Sequence, residues 1–285
     1  MINHHIWRFW LCVLGITIVG CDIVEAPYKE ATQNSESFVC IDSTGFSTIR
    51  KVLIEDYTGF KCGNCPVASD EAKSVLQAYP GKVVVVGVHA GYFAKPDASH
   101  TTDFRTPPGT DWDNFFGISA AGNPNGMINR MKWGGQMIVP YTSWHTATEQ
   151  YLQNLPFIAG MQICKQYEEA ENKLKVRVDV RYASNRDTID YLGVYLIEDS
   201  VVAYQKDYRL TPSDIPDYVH EHVLRAALNG TWGGVLTNTT TIVANKIYTN
   251  TFEIPINPIW RKNHLKVVAL LRNNITQEII QTEQY

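Results

Sequence analysis

Two cysteines separated by two residues are the most chemically informative feature of this sequence. They occur as Cys62 and Cys65 in GFKCGNCPVAS, directly after the apolar run KVLIEDYTG and before a stretch with helical periodicity. At the start of a helix, unpaired backbone N–H groups and the helix dipole stabilise a thiolate. Lys61 adds a positive charge next to Cys62. The spacing therefore predicts thiol–disulfide exchange by Cys62 and Cys65.

Two other roles for this pair stay open. In an exported protein the same spacing can form a permanent structural disulfide. A metal site needs about four ligands, and no second CxxC or Cys/His pair lies nearby in the sequence. His220 and His222 alternate in VHEHVLRAALNGTWG, where a pair of structural histidines is more common than a metal site. We expect no metal and no cofactor.

The elements around the cysteines form a βαβ pattern. KVLIEDYTG predicts a strand, PVASDEAKSVLQAYP carries its apolar residues on one helical stripe, and GKVVVVGVHAG predicts a second strand. The uninterrupted apolar run of the second strand is typical of a strand covered on both faces. Such a unit pairs its strands in parallel and places the CxxC pair between strand and helix.

The N-terminus predicts export and lipid attachment. Residues 1–20 combine a short polar start with an apolar run that is shorter than the roughly 20 residues of a transmembrane helix, so we predict a signal peptide. The segment Ile18-Val19-Gly20-Cys21 resembles a bacterial lipobox, in which the cysteine becomes lipid-modified. Cys21 would then be the mature N-terminus and would anchor the protein to a membrane.

Export leaves an even number of cysteines to pair. Cys12 is lost with the signal peptide and Cys21 carries lipid, which leaves Cys40, Cys62, Cys65 and Cys164. Sequence alone permits three connectivities for these residues. Local spacing favours Cys62–Cys65, and Cys40–Cys164 is then the remaining pair, whose formation depends on geometry.

The chain is long enough for two domains. It has 285 residues, of which 45% are apolar, and a net charge of −4 without blocks of basic residues, so we expect no nucleic-acid partner. Residues 21–48 are polar and predict a tether. Residues 49–156 contain the βαβ pattern, and residues 157–285 alternate with period two between turn clusters. The second segment predicts an immunoglobulin-like β-sandwich, although the Cys…Trp…Cys hallmark is missing.

The segment between the second strand and Pro124 is long for a connection. Segments of more than about 12 to 15 residues tend to be functional or mobile, and this one carries Tyr92, Phe93, Phe104 and Trp112. These aromatic side chains either form the wall of a binding groove or belong to the core of their own domain.

The strand, the CGNC sequence and the following helix resemble thioredoxin-like domains. That resemblance implies an α/β fold and a cis-proline that faces the dithiol and binds an extended substrate chain, and Pro124 in GNPNGMINR matches its position. It also implies a buried acid that relays protons to the dithiol. Asp56 has the matching offset from Cys62, and since strand residues alternate between faces, only one of Asp56 and Glu55 can point at the sulfurs.

The order of motifs is similar to that of the twenty-eight-kilodalton outer membrane lipoprotein family of the Bacteroidetes. The shared motifs are the lipobox and VLIEDYTGFKCGNCP, DFRTPPG, NPNGMINR and HVLRAALNGTWG. The resemblance implies an outer-membrane lipoprotein, facing the periplasm or the cell surface, with a thioredoxin-like domain followed by a β-sandwich. Two functions follow as hypotheses: redox exchange with thiols or disulfides of exported proteins, or binding of a surface protein or glycan by a non-catalytic scaffold.

Overall fold

Strands make up most of the regular secondary structure of the described chain, and helices are few. The computed structural model describes residues 38–40 and 45–285. The α-helices are α1 (Cys65–Ala78), α2 (Gly91–Ala94), α3 (Pro107–Phe116) and α4 (Trp144–Asn154). Short 3₁₀ turns lie at Ser119–Ala121, Tyr141–Ser143, Glu169–Glu171 and Lys262–His264. The strands are β1 (Val39–Cys40), β2 (Val52–Thr58), β3 (Val83–His89), β4 (Asn125–Ile128), β5 (Ala159–Glu168), β6 (Lys173–Tyr182), β7 (Arg186–Asp187), β8 (Asp190–Glu198), β9 (Val201–Lys206), β10 (Asp214–His220), β11 (Val223–Ala227), β12 (Gly234–Val235), β13 (Thr241–Ile242), β14 (Ile247–Pro255), β15 (Leu265–Asn273) and β16 (Ile279–Gln284).

One large sheet joins strands from both halves of the sequence. Its order is β16-β15-β8-β11-β3-β2-β4, and β12 pairs with β8 beside that path. β2 and β3 are parallel along their whole length, from Val52 opposite Val83 to Thr58 opposite His89. The parallel pairing predicted for the βαβ unit is therefore confirmed. β11 adds to β3 in parallel, whereas β4 runs antiparallel to β2.

β2 and β3 are buried because helices cover both faces of the sheet at this point. On one face, Val52 and Ile54 pack with α1 and α4. On the other face, Leu53 and Tyr57 pack with Trp112 of α3. Burial on both sides explains why these strands read as continuous apolar runs rather than as alternating ones.

A second sheet, ordered β1-β5-β6-β14, packs against the β8, β15 and β16 part of the large sheet. Each of these strands sends alternate residues into the shared core. The core residues include Met161, Ile163, Val176, Val178, Val180, Leu196, Val267, Ala269 and Leu271. The C-terminal half therefore has the period-two strands that its sequence predicted.

The predicted boundary at residue 156 lies between α4 and β5. Strands from both sides of this boundary nevertheless join the large sheet, since β8, β11, β15 and β16 continue the sheet that begins with β2, β3 and β4. All described residues belong to one compact unit, Glu36–Tyr285. The division into segments 49–156 and 157–285 stays a prediction.

β9 and β10 form a separate antiparallel hairpin, with Lys206 opposite Asp214 at its closed end. The sequence VHEHVLRAALNG, which fits helix or strand by its pattern, contributes the end of β10 and all of β11. His222 lies between these strands with φ of 58°, so the strand is interrupted there. His220 and His222 therefore do not share one continuous strand.

The long segment before Pro124 contributes mainly to the core. Trp112 and Phe104 are buried, and Trp112 Nε1 donates a hydrogen bond to the Thr231 carbonyl at 2.9 Å. Tyr92, in contrast, is 75% exposed. Trp112 of α3 packs against the large sheet, whereas Phe104 precedes α3 and packs with Val201 and Val223, so both belong to the core rather than to a groove wall.

Candidate functional site

Cys62 and Cys65 form a disulfide between β2 and α1. Their Cα atoms are 5.3 Å apart and the S–S distance is 2.09 Å. Both residues are buried, with 3% and 1% of their surface exposed. The local spacing argument thus identified a pair that the fold brings together.

Two successive turns carry the chain from the strand to the helix. The Cys62 N–H donates to the Gly59 carbonyl at 2.9 Å, and the Cys65 N–H donates to the Cys62 carbonyl at 3.1 Å. A Cβ at Gly59 would collide with the backbone of Phe93, so the first turn requires glycine. The helix begins at Cys65, with proline in its first turn, where a missing N–H does no harm. Cys62 therefore precedes the helix, and Cys65 is its first residue.

Lys61 contacts two residues of the segment between β3 and α3. Its ammonium lies 3.6 Å from a carboxyl oxygen of Asp97 and 5.1 Å from the ring centroid of Tyr92. Both members of the ion pair are partly exposed, so the pair neutralises part of the charge predicted to act on Cys62.

Asp56 is buried on the face of β2 that α1 covers. Ser69 Oγ donates to Asp56 Oδ2 at 3.4 Å. Burial raises the pKa of Asp56 from 3.8 to about 7, and the hydrogen bond from Ser69 offsets part of that rise. Cys65 and Ser69 are four residues apart and share one face of α1, so Asp56 faces the side of the helix that carries Cys65.

Glu55 points to the opposite face of the sheet. Its carboxylate accepts two hydrogen bonds from Arg130, at 2.9 Å from Nε and 2.7 Å from Nη2, and both side chains are fully buried. The Arg130 guanidinium also lies 4.7 Å from the ring centroid of Trp112. Strand alternation thus separates the two acids, and Glu55 serves a buried ion pair.

Pro124 lies next to the end of β2. The peptide bond between Asn123 and Pro124 is cis, and β4 begins at the following residue, Asn125. Tyr57 is paired with Asn125, so Pro124 is beside the last residue of β2, from which the chain continues to Cys62. The fold therefore brings the end of β2, the dithiol turn and the Pro124 turn to one edge.

The other two described cysteines are also bonded to each other. Cys40 on β1 pairs with Cys164 on β5, and their Cα atoms are 3.9 Å apart. Arg177 Nη2 approaches both sulfurs, at 3.3 Å from Cys164 and 3.7 Å from Cys40. This disulfide lies in the second sheet and attaches β1 to the neighbouring strand. Cys21, the predicted lipidation site, lies outside the described residues.

The β9–β10 hairpin covers the dithiol turn, which sequence reasoning did not detect. Gln205 Nε2 donates to the Cys62 carbonyl at 3.0 Å. The backbone N–H of Lys206 donates to the Phe60 carbonyl at 2.8 Å, and that of Tyr208 to the Gly63 carbonyl at 2.9 Å. The hairpin is more than 130 residues away in the sequence, and no local pattern links it to the cysteines.

Asp56 lines a cavity of about 520 Å³ between α1 and the hairpin. His89 and His220 also line this cavity, with ring centroids 5.5 Å apart. Burial lowers the pKa of both imidazoles, that of His220 to about 4. A larger cavity, of about 720 Å³, lies beside Tyr167 and Lys262 and has no lining residue from the dithiol turn.

The described residues contain no group of three or more His, Cys, Asp or Glu side chains placed to hold a metal ion. His222 Nδ1 instead lies 3.1 Å from an Asp199 carboxyl oxygen. His220 Nε2 lies 3.3 Å from the Tyr204 carbonyl. Both histidines therefore have structural partners.

A family comparison covers more than half of the chain. The model of outer membrane protein Omp28 matches residues 112–285. The chain belongs to the Omp28 family. Membership places this Omp28 family protein in the outer membrane of the cell envelope. The matched residues include Pro124 and the hairpin, whereas Cys62 and Cys65 precede them.

Solved structures share the fold of this Omp28 family protein. HBP35 of Porphyromonas gingivalis matches with a TM-score of 0.61 and 16% identity, over 85% of this chain and 76% of that one. Protein AGR_C_4864 from Agrobacterium tumefaciens matches with a TM-score of 0.51 and 12% identity, over 84% and 95% of the two chains. At these identities the likeness concerns the fold alone.

A domain of the outer membrane lipoprotein Omp28 from Porphyromonas gingivalis is 22% identical over 44% of this chain and 90% of that one, with a TM-score of 0.30. No curated protein matches the sequence. Within residues 38–40 and 45–285, none of the helices of this Omp28 family protein has the length and hydrophobicity of a membrane-spanning segment.

Proposed function

We propose that this outer-membrane protein exchanges disulfides with exported proteins through Cys62 and Cys65. The observation that carries the proposal is Asp56, a buried acid with a pKa of about 7. It lies on the face of β2 that is covered by α1, the helix that begins with Cys65. A group with this pKa can accept or donate a proton near neutral pH. Cys65, the first residue of α1, is the thiol that such a group serves.

The exchange starts from the reduced dithiol. The Cys62 thiolate attacks one sulfur of a substrate disulfide, and the other substrate sulfur leaves as a thiolate that takes a proton from solvent. Cys65 then gives its proton to the Asp56 carboxylate and attacks the Cys62 sulfur of the mixed disulfide. The second substrate sulfur leaves as a thiolate that takes a proton from solvent, so the substrate departs with two thiols and the protein holds the Cys62–Cys65 disulfide.

A dithiol protein of the envelope completes the cycle. Its thiolate attacks the Cys62 sulfur, and Cys65 leaves and recovers the proton from Asp56. The second thiol of that protein resolves the new mixed disulfide, which returns Cys62 as a thiolate. With the partners exchanged, the same steps oxidise a substrate dithiol.

A thioredoxin-like fold is part of the proposal. It is supported by the parallel β2–α1–β3 unit, the antiparallel β4 beside β2 and the Pro124 turn at the same edge as the dithiol. In this arrangement the backbone next to Pro124 would hold an extended substrate chain. The packing of β5, β6 and β14 against β8, β15 and β16 supports an immunoglobulin-like sandwich as the second part. Lipid on Cys21 would attach the protein to the outer membrane.

Trapping a mixed disulfide tests the proposal. Cys65→Ser removes the resolving thiol, so a substrate should stay bonded to Cys62 in envelope extracts and be released by reductant. The matched control is the double variant Cys62→Ser/Cys65→Ser, which should trap nothing. Replacing Pro124 with alanine in the trapping variant should lower the yield. No trapped protein with Cys65→Ser would contradict the redox function.

A non-catalytic surface scaffold is the second candidate, and the burial of Cys62 supports it. A structural disulfide should have a reduction potential below roughly −300 mV, whereas catalytic pairs span about −120 to −270 mV. Equilibration of the purified protein with glutathione or dithiothreitol buffers measures this potential. A value below the catalytic range would favour binding of a surface protein or glycan over exchange.

A further inference from the structure

The closed end of the β9–β10 hairpin lies against the dithiol turn. We refer to residues 206–213 as the hairpin tip. At its start, the N–H groups of Lys206 and Tyr208 donate to the carbonyls of Phe60 and Gly63, at 2.8 and 2.9 Å. These two carbonyls flank Cys62 in the sequence. The hairpin thus binds the dithiol turn through backbone groups on both sides of the outer cysteine.

The Tyr208 side chain of the tip packs against Gly63, which lies between the two cysteines. A Cβ built on Gly63 would lie 2.5 Å from the Tyr208 ring, so the ring occupies the space that any side chain there would need. Gly63 lacks a positive φ, so its backbone does not require glycine. The close approach of Tyr208 is therefore the structural reason for a glycine at this position.

The tip is held by weak outer contacts. Arg209 Nη1 lies 2.6 Å from an Asp70 carboxyl oxygen on α1, with both side chains about half exposed. Exposed ion pairs of this kind contribute little to stability. Tyr208 is 62% exposed even with one ring face on Gly63. The tip therefore buries little apolar surface, as is typical of segments that open locally.

Exchange at Cys62 requires movement of the groups that bury it, and the hairpin is bonded to the turn on both sides of this residue. An attacking sulfur must approach the Cys62 sulfur in line with the disulfide bond, and only 3% of the residue is exposed. When the tip moves away, the Phe60 and Gly63 carbonyls lose their donors. Donors on residues two apart, as Lys206 and Tyr208 provide them, are what one edge of an extended strand presents.

We propose that the hairpin tip is a displaceable cover of the Cys62–Cys65 site, and that the partner that replaces it is an extended polypeptide segment. This inference rests on the exchange proposed above. The incoming strand takes over the hydrogen bonds that Lys206 and Tyr208 make to the dithiol turn, as in recognition by strand addition. Folded surfaces without an extended segment cannot make these bonds and are excluded.

The double variant Tyr208→Ala/Arg209→Ala tests the cover, with Leu210→Ala, an exposed residue of the same tip, as the matched control. Reduction of the disulfide is followed with two probes: dithiothreitol, and an unstructured peptide of about ten residues with one central cysteine. We call the double variant the opened variant and the unsubstituted protein the parent. The disulfide of the opened variant should be reduced about tenfold faster than that of the parent by both probes. Leu210→Ala should match the parent. Equal rates in the parent and the opened variant would overturn the cover.

A modified peptide tests the strand partner. N-methylation of residues on the two sides of its cysteine removes the N–H donors and leaves the thiol unchanged. In the opened variant the methylated peptide should react several-fold more slowly than the parent peptide, and equal rates would overturn the strand partner. Faster reduction of the opened variant combined with no protein trapped by Cys65→Ser would refute the exchange function and retain the cover.

Discussion

Ser69 donates a hydrogen bond to one carboxyl oxygen of Asp56 at 3.4 Å, while Asp56 Oδ1 has no partner among the described residues. A single long hydrogen bond stabilises a carboxylate poorly, so burial dominates and the carboxyl keeps its proton up to about pH 7. The same Ser69 is on the face of α1 that begins with Cys65. Asp56 therefore contacts the helix that begins with Cys65, and it can exchange a proton near neutral pH.

Asp56→Asn should change the pH dependence of stability. The pKa of Asp56 is raised in the folded state, so its contribution is fully present below about pH 3.8 and is lost as pH rises to about 7. The shift corresponds to roughly 4 kcal/mol. Urea unfolding at pH 4 and pH 8 should show a loss in the parent that is absent from Asp56→Asn. Identical pH profiles would show that Asp56 titrates normally.

Cys62 should react before Cys65 in the reduced protein. Cys62 precedes the helix beside Lys61, whereas Cys65 is the first residue of the helix and is only 1% exposed. Because the thiolate is the reacting form, we expect alkylation of Cys62 to be about tenfold faster than that of Cys65 near pH 7. Peptide mass spectrometry after brief iodoacetamide treatment measures the ratio. Equal, slow labelling of both cysteines would instead support the scaffold.

Removal of the Cys40–Cys164 disulfide should destabilise the protein more than removal of the dithiol pair. The bond spans 124 residues, and the loop model assigns about 4 to 5 kcal/mol to such a closure. Cys62 and Cys65 are only 3 residues apart, for which the model assigns about 2 kcal/mol. Denaturant unfolding of the two double serine variants compares them directly. The reverse order would show that native-state strain outweighs loop entropy.

Arg130→Met should be strongly destabilising. It leaves the Glu55 carboxylate fully buried without its two hydrogen bonds, and such losses cost about 3 to 5 kcal/mol. The double variant Glu55→Leu/Arg130→Met removes both charges and should recover most of the loss. Arg105→Met, which breaks an exposed pair with Asp103, is the control and should cost at most about 1 kcal/mol. A similar effect of the two single variants would contradict a buried ion pair.

Cys21→Ala should release the protein from membranes. The lipobox pattern predicts that Cys21 carries the lipid that anchors the protein to the membrane. Fractionation of cells without detergent should move the variant to the soluble fraction. A substitution at Asp22 is the matched control and should leave attachment unchanged. Retention of Cys21→Ala in the membrane fraction would mean that another part of the chain provides attachment.

Local sequence determined the parts of the site that depend on short-range geometry. A strand, a two-residue cysteine spacing and a helical stripe are readable because each involves neighbours along the chain, and β2, α1 and β3 follow them. Strand alternation also separated Asp56 from Glu55, since it depends only on position within β2. The period-two pattern of the C-terminal half predicted its strands for the same reason.

Tertiary structure alone decided what covers these elements. The strands of the C-terminal half extend the sheet that starts with β2, because edge strands pair wherever complementary backbone and apolar faces meet, and sequence periodicity does not encode that choice. The contact of Tyr208 with Gly63, the ion pair of Glu55 with Arg130 and the burial of Asp56 beneath the hairpin all join distant segments. Local patterns indicate which residues are buried. The residues that pack against each of them are determined only when the whole chain folds.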